Sequence, residues 1–212
     1  MHWRKTNVGW MSERAGETSA ELLVAILADQ DSPPAALFDV ATAWAQAFPL
    51  SALVILEGLE HIEAHLTEAL ARVRLPPRRL LLVGLGEGGR IGLSLALEAA
   101  PRCAGVLVYD ALPDLPVSAG PRSRGVKVRL IGHEAEDPRH DGRLGDLVRR
   151  LGGLGIDARA TQLLEPGLTP SAIRLGAAYL AELSASALDL PPSSPGPGTA
   201  GAGPSNEVDD AC

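Results

Sequence analysis

Residues 79–92 read RLLLVGLGEGGRIG, an apolar run that breaks into glycines and then restarts as a helix. The run at 80–83 is typical of a buried strand, and the apolar residues between 91 and 97 are those of the helix that follows. A sharp turn of this kind delivers backbone amides to a helix N-terminus. It can display a nucleophile, hold a phosphate group, or only allow tight packing. Its glycines are Gly84, Gly86, Gly88 and Gly89.

The composition indicates one soluble domain with a sizeable core. The chain has 212 residues, of which 46% are hydrophobic and 21% charged. A net charge of -7 without a basic cluster argues against nucleic acid or an anionic membrane surface as the main partner. Its two cysteines, Cys103 and Cys212, predict no disulfide framework and fit a reducing compartment. No apolar run reaches the roughly 18 to 20 residues that a membrane span needs, and the N-terminus lacks a signal-peptide core, so we expect a cytoplasmic protein.

Strand and helix signals alternate along the chain. Such alternation predicts βαβ units and a mostly parallel sheet covered by helices on both faces, a three-layer α/β/α sandwich. Apolar runs suited to buried strands lie at 22–27, 51–56, 80–83, 105–109 and 126–131, with a more polar strand at 156–164.

The same patterns divide the chain into three parts. Residues 1–20 are expected to be a flexible arm, and residues 21–188 to be the α/β domain. Residues 189–212 are rich in Pro, Gly and Ser, with almost nothing to bury, and are predicted to be a disordered tail.

Three local strings resemble the bacterial carboxylesterase and phospholipase-like family of α/β-hydrolases. Residues 78–113, RRLLLVGLGEGGRIGLSLALEAAPRCAGVLVYDALP, are similar to that family's strand, nucleophile elbow, helix and next strand. Residues 128–138, VRLIGHEAEDP, resemble the strand that carries its triad aspartate, and residues 156–180 resemble its last strand, histidine loop and final helix. The resemblance implies the α/β-hydrolase fold and, if the chain is active, hydrolysis of carboxylic esters.

The resemblance also implies that the catalytic machinery is degenerate. In the elbow G-x-S-x-G the serine attacks the substrate, and here Gly86 occupies the serine position between Gly84 and Gly88. Without an oxygen or sulfur at that point, the chain has no atom there that could attack the substrate and form an acyl-enzyme.

Two further positions depart from the family pattern. Residues 28–33, ADQDSP, replace its His-Gly oxyanion loop, and residues 165–171, EPGLTPS, contain no histidine where the triad base belongs. Asp137 matches the triad acid. The chain is therefore interpreted as a pseudo-hydrolase, a non-catalytic protein that binds a small ligand or a protein partner.

Two alternatives remain open. The chain could be an active carboxylic-ester or thioester hydrolase with a displaced site, using another serine such as Ser94 or a water activated by His133 and Asp137. It could instead bind a dinucleotide, because the glycines satisfy G-x-G-x-x-G and an acid ends the next strand. The residues of this last site would be Gly84, Gly86, Gly89 and Asp110.

Neither a metal nor a cofactor is predicted. His61 and His65 are four residues apart on a helix, but Glu63 between them is in the wrong order for a zinc helix and no third ligand is evident. Polar residues after the fifth predicted strand, among them His133, are interpreted as a solvated loop, with acid-base work as the alternative.

Overall fold

The computed structural model describes residues 2–13, 20–28, 34–56, 58, 60–98, 102–110, 123, 125–133 and 143–189. The strands in this part of the chain are β1 (His2–Thr6), β2 (Gly9–Glu13), β3 (Leu22–Leu27), β4 (Ser51–Leu56), β5 (Leu80–Leu85), β6 (Gly105–Tyr109), β7 (Lys127–His133) and β8 (Asp157–Leu163). The helices are α1 (Pro34–Ala47), α2 (Ile62–Val73), α3 (Glu87–Glu98), α4 (Arg143–Gly153) and α5 (Pro170–Leu188), and a 3-10 turn at Pro77–Arg79 precedes β5.

The strands form one sheet in the order β1-β2-β4-β3-β5-β6-β7-β8. From β4 to β8 all neighbours are parallel, whereas β1 and β2 are antiparallel. The predicted fold class, a mostly parallel sheet between helices, is confirmed. The C-terminal ends of the parallel strands meet at one edge of the sheet, which we call the carboxyl edge.

Helices cover the sheet on both faces. One buried cluster joins the sheet to α2, α3 and α4, and a second joins its other face to α1 and α5. All the residues of β3, β4 and β6 are buried, which explains why these strands have continuous apolar sequences. None of the helices in the described part of the chain combines the length and apolar character that crossing a membrane requires.

The N-terminal residues differ from the flexible arm expected over 1–20. Residues 2–13 form a hairpin whose second strand pairs with β4, and Val8 at its turn is buried. Trp3 and Trp10 pack edge-on against Phe38 of α1, with ring centroids 5.4 and 5.3 Å apart. The hairpin extends the sheet, and its aromatic side chains fasten it to α1.

At the other end of the sheet, the strand that the sequence predicts is present. The polar strand predicted at 156–164 is β8, which lies at the edge of the sheet, where one side has no strand neighbour among the described residues. Residues 14–19 and 190–212 lie outside the described residues, and the predicted tail falls almost entirely within the second of these ranges.

Candidate functional site at the carboxyl edge

The turn between β5 and α3, which we call the elbow, reverses the chain within a single residue. Gly86 has a left-handed conformation with φ +52°. Its amide donates to the Tyr109 carbonyl on β6 at 3.3 Å, and its own carbonyl accepts from the amides of Gly89 and Arg90. An L-residue with a side chain is strained at this φ, so glycine suits the conformation. The elbow geometry is present, but its central residue carries no reactive group.

The flanking glycines let α3 lie unusually close to the sheet. A Cβ built on Gly88 would lie 2.6 Å from the carbonyl carbon of Leu27 at the end of β3. A Cβ built on Gly84 would lie 2.6 Å from the carbonyl oxygen of Gly88. Both contacts are with backbone, which cannot move aside. These glycines therefore have a packing role whether or not the elbow binds anything.

Glu87 follows Gly86 and begins α3. Arg90 donates through Nε to both of its carboxylate oxygens at 2.7 Å. These hydrogen bonds lower the pKa of Glu87, so the carboxylate is ionised and paired rather than available as a proton donor. Both side chains are exposed, so the pair shapes the local charge more than it stabilises the fold.

A histidine and an aspartate meet beside the elbow. His133 ends β7 and Asp110 follows β6, and the two strands are neighbours. The Nδ1 atom of His133 lies 3.0 Å from Oδ1 of Asp110. Asp110 is also one of the few described non-glycine residues with a positive φ, at +50°, and its amide donates to the Ile131 carbonyl at 2.8 Å. We call His133 and Asp110 the dyad.

The direction of the hydrogen bond in the dyad depends on the tautomer of His133. A carboxylate accepts from Nδ1–H, which leaves the lone pair of Nε2 free in the neutral ring. The side chains of His133 and Asp110 are 41% and 36% exposed, so water and a ligand can reach them. From the sequence, His133 was paired with Asp137 in one alternative, and Asp110 was a residue of the dinucleotide site in the other. Instead, the structure brings His133 and Asp110 together, while Asp137 lies outside the described residues.

Solved structures of hydrolases have the same architecture. Esterase PE8 matches with a TM-score of 0.64 at 20% identity, over 83% of this chain and 98% of that one. The Bacillus cereus carboxylesterase matches with a TM-score of 0.65 at 12% identity, over 82% and 93%. A phospholipase/carboxylesterase from Dyadobacter fermentans matches with a TM-score of 0.59 at 12% identity, over 84% and 98%. The chain has the α/β-hydrolase fold. No protein-family model and no curated protein sequence matches it.

Within this α/β-hydrolase fold, the loop before the last helix lacks the histidine that the resemblance implies. Residues 164–169 join β8 to α5 and read LEPGLT, and Thr169 caps α5 by accepting from the Ala172 amide at 3.2 Å. The apolar side chain of Leu164 is 85% exposed there. The chain's histidines all occur at or before position 140, so none follows β8. They are His2, His61, His65, His133 and His140.

The other positions singled out in the sequence are buried, half-buried or outside the described residues. Ala28 is buried at the end of β3, and residues 29–33 of the replaced oxyanion loop lie outside the described residues. Ser94 lies within α3, two turns beyond the elbow, and is half-buried. Cys103 is buried, and burial raises the pKa of its thiol to about 12, which disfavours the nucleophilic thiolate.

The two helix histidines lie at the N-terminal end of α2. His61 caps α2 in a left-handed conformation and, with residues of α2 and α3, lines an open groove of about 420 Å³. Among the described residues, no three His, Cys, Asp or Glu side chains come together as a metal site.

Proposed function

We propose that this chain is a pseudo-hydrolase with respect to serine chemistry: it binds a small ligand or a protein partner at the carboxyl edge without forming an acyl-enzyme. The observation that carries this proposal is Gly86 at the centre of an intact elbow. The turn that would project a serine is present, with φ +52° and its strand-to-helix geometry, but it holds no side chain.

The surrounding residues support the same function. A serine nucleophile needs a neighbouring base to remove its proton, and no histidine follows β8. The glycines that shape the elbow are explained by close packing of α3 on the sheet. An elbow retained for packing, at an edge where α/β proteins bind ligands, fits a binding protein that has lost covalent catalysis. Composition adds the expectation of a cytoplasmic location.

A serine-directed fluorophosphonate probe tests the proposal. We expect no labelling of the purified chain, because Gly86 offers no oxygen to the probe, and no burst of p-nitrophenolate from p-nitrophenyl acetate. Ser94→Ala is the matched control. Labelling that disappears in Ser94→Ala, or a stoichiometric burst, would show a displaced serine nucleophile and overturn the proposal.

Ligand binding is tested separately by amide chemical shifts. Acetate and butanol, the two halves of a short ester, are expected to shift the Gly86 and Asp110 amides in a saturable way. Shifts spread evenly over the surface, or none at high concentration, would contradict binding at the carboxyl edge.

The dinucleotide alternative makes a different prediction. It needs the Asp110 carboxylate for a ribose, but that carboxylate is bonded to His133, and Gly84 is explained by its contact with Gly88. We therefore expect saturating NAD or NADP to leave the midpoint of thermal unfolding unchanged. An increase that Asp110→Ala abolishes would favour a dinucleotide site over the pseudo-hydrolase.

A further inference from the structure

We propose that the dyad of His133 and Asp110 is a general-base site that activates water for slow, serine-independent hydrolysis of activated carboxylic esters. The inference goes beyond the proposed function, since it requires no acyl-enzyme. It rests on the juxtaposition of two side chains from neighbouring strands, and on where that juxtaposition lies.

The first step of the argument is the tautomer. Asp110 Oδ1 lies 3.0 Å from Nδ1 of His133. A carboxylate at this distance favours the tautomer with its proton on Nδ1, which leaves the lone pair of Nε2 free. A carboxylate that orients the ring in this way also stabilises the imidazolium that forms when Nε2 takes a proton. Asp110 acts through His133, which makes it a positioning residue.

The second step is the rigidity of the support. His133 is the last residue of β7 and is paired with Leu163 of β8, and the Asp110 amide is held by Ile131 of β7. Asp110 keeps its left-handed φ of +50° under these constraints. A strained residue held by its surroundings motivates a hypothesis of function when it also bears a reactive group.

The third step is access. Both dyad side chains are more than a third exposed. The elbow lies directly beside them, because the Gly86 amide bonds to the carbonyl of Tyr109, the residue before Asp110. An ester that binds at the elbow would therefore lie close to Asp110, whose carboxylate contacts His133. Glu87, which begins α3 directly after the elbow, is paired with Arg90.

The reaction balances without another reactant. Nε2 of His133 accepts one proton from water as the water oxygen bonds to the ester carbonyl carbon, which gives a tetrahedral anion. Collapse of this anion breaks the bond to the leaving oxygen and yields a carboxylic acid and an alkoxide or phenolate. The imidazolium returns its proton to that oxygen or to solvent, and Asp110 stays ionised throughout.

Steady-state hydrolysis of p-nitrophenyl acetate by the full chain is the test. We expect burst-free turnover faster than that of free imidazole at the same concentration, and a fall in kcat/KM of about 10²-fold or more in His133→Ala. His61→Ala is the matched control, because it removes another exposed histidine and is expected to leave the rate unchanged. Equal rates in wild type and His133→Ala, or wild-type activity no higher than that of imidazole, would overturn the proposal.

The role of Asp110 needs a readout that a structural effect would not move. Long-range ¹H–¹⁵N spectra are expected to show His133 as the Nδ1–H tautomer in the wild type and as the Nε2–H tautomer in Asp110→Asn, with a parallel loss of activity. An unchanged tautomer would remove Asp110 from the mechanism. Fluorophosphonate labelling bears only on the pseudo-hydrolase proposal and the His133 dependence only on the dyad, so failure of one is distinguishable from failure of the other.

Discussion

At the residue scale, Gly88 shows that close packing alone can require a glycine in the elbow. Its Cα faces the end of β3 so closely that a Cβ would lie 2.6 Å from the Leu27 carbonyl carbon and 3.2 Å from the Ala28 nitrogen. Selection for a well-packed α3 would by itself keep glycine at this position. The glycine pattern of the elbow is therefore evidence for the fold and carries no information about catalytic turnover.

Gly88→Ala should destabilise the protein for this reason. Because the obstructing atoms are backbone, α3 must shift, and we expect the free energy of unfolding to fall by about 1–3 kcal/mol. Gly145→Ala in α4 is the matched control: nothing described lies within 4 Å of its Cβ, and higher helix propensity should add about 0.5–1 kcal/mol. Urea denaturation measures both, and a neutral Gly88→Ala would contradict the packing role.

The dyad marks the limit of sequence reasoning at this scale. His133 and Asp110 were each recognisable as polar residues at strand ends, which is where parallel sheets place functional groups. Their pairing depends on β6 and β7 being neighbours in a particular register, with Tyr109 opposite Ile131. Register arises from packing of whole strands, so the sequence alone does not show that His133 lies beside Asp110, and its predicted partner Asp137 lies outside the described residues.

At the element scale, burial decides which strands can be read from the sequence. Both faces of β3, β4, β5 and β6 are covered by helices, so their sequences are continuous apolar runs that stand out from their surroundings. The hairpin of β1 and β2 lies at the edge, and its sequences, HWRKT and GWMSE, each hold one tryptophan and lack a continuous apolar run. The contacts of Trp3 and Trp10 with Phe38 fasten this hairpin to the helix layer, and those contacts depend on the position of α1.

At the scale of the whole molecule, one buried charge links the edge of the sheet to the last helix. Arg129 on β7 is fully buried, and its guanidinium contacts Glu182 of α5 at 2.6 Å and Asp157 of β8 at 3.1 Å. It also donates to the backbone carbonyls of Val128 and Asp157. Because Arg129 on β7 joins β8 to α5, the pH dependence of its two ion pairs should be visible in the global unfolding of the protein.

The sign of that linkage follows from the two carboxylates. Hydrogen bonds from Arg129 lower the pKa values of Asp157 and Glu182 in the folded protein. Their stabilisation is therefore complete above the unfolded pKa values, about 4, and is lost as pH falls through the lowered folded values.

We expect Arg129→Met to lower the free energy of unfolding by about 2 kcal/mol at neutral pH, since the charged hydrogen bonds are lost and two backbone carbonyls lose their donor. We also expect it to flatten the loss of stability between pH 5 and more acidic conditions. Arg149→Met, which removes an exposed pair with Asp146, should leave both properties unchanged. Urea denaturation across pH measures the three proteins, and parallel pH profiles for the wild type and Arg129→Met would show that acid unfolding proceeds through other groups.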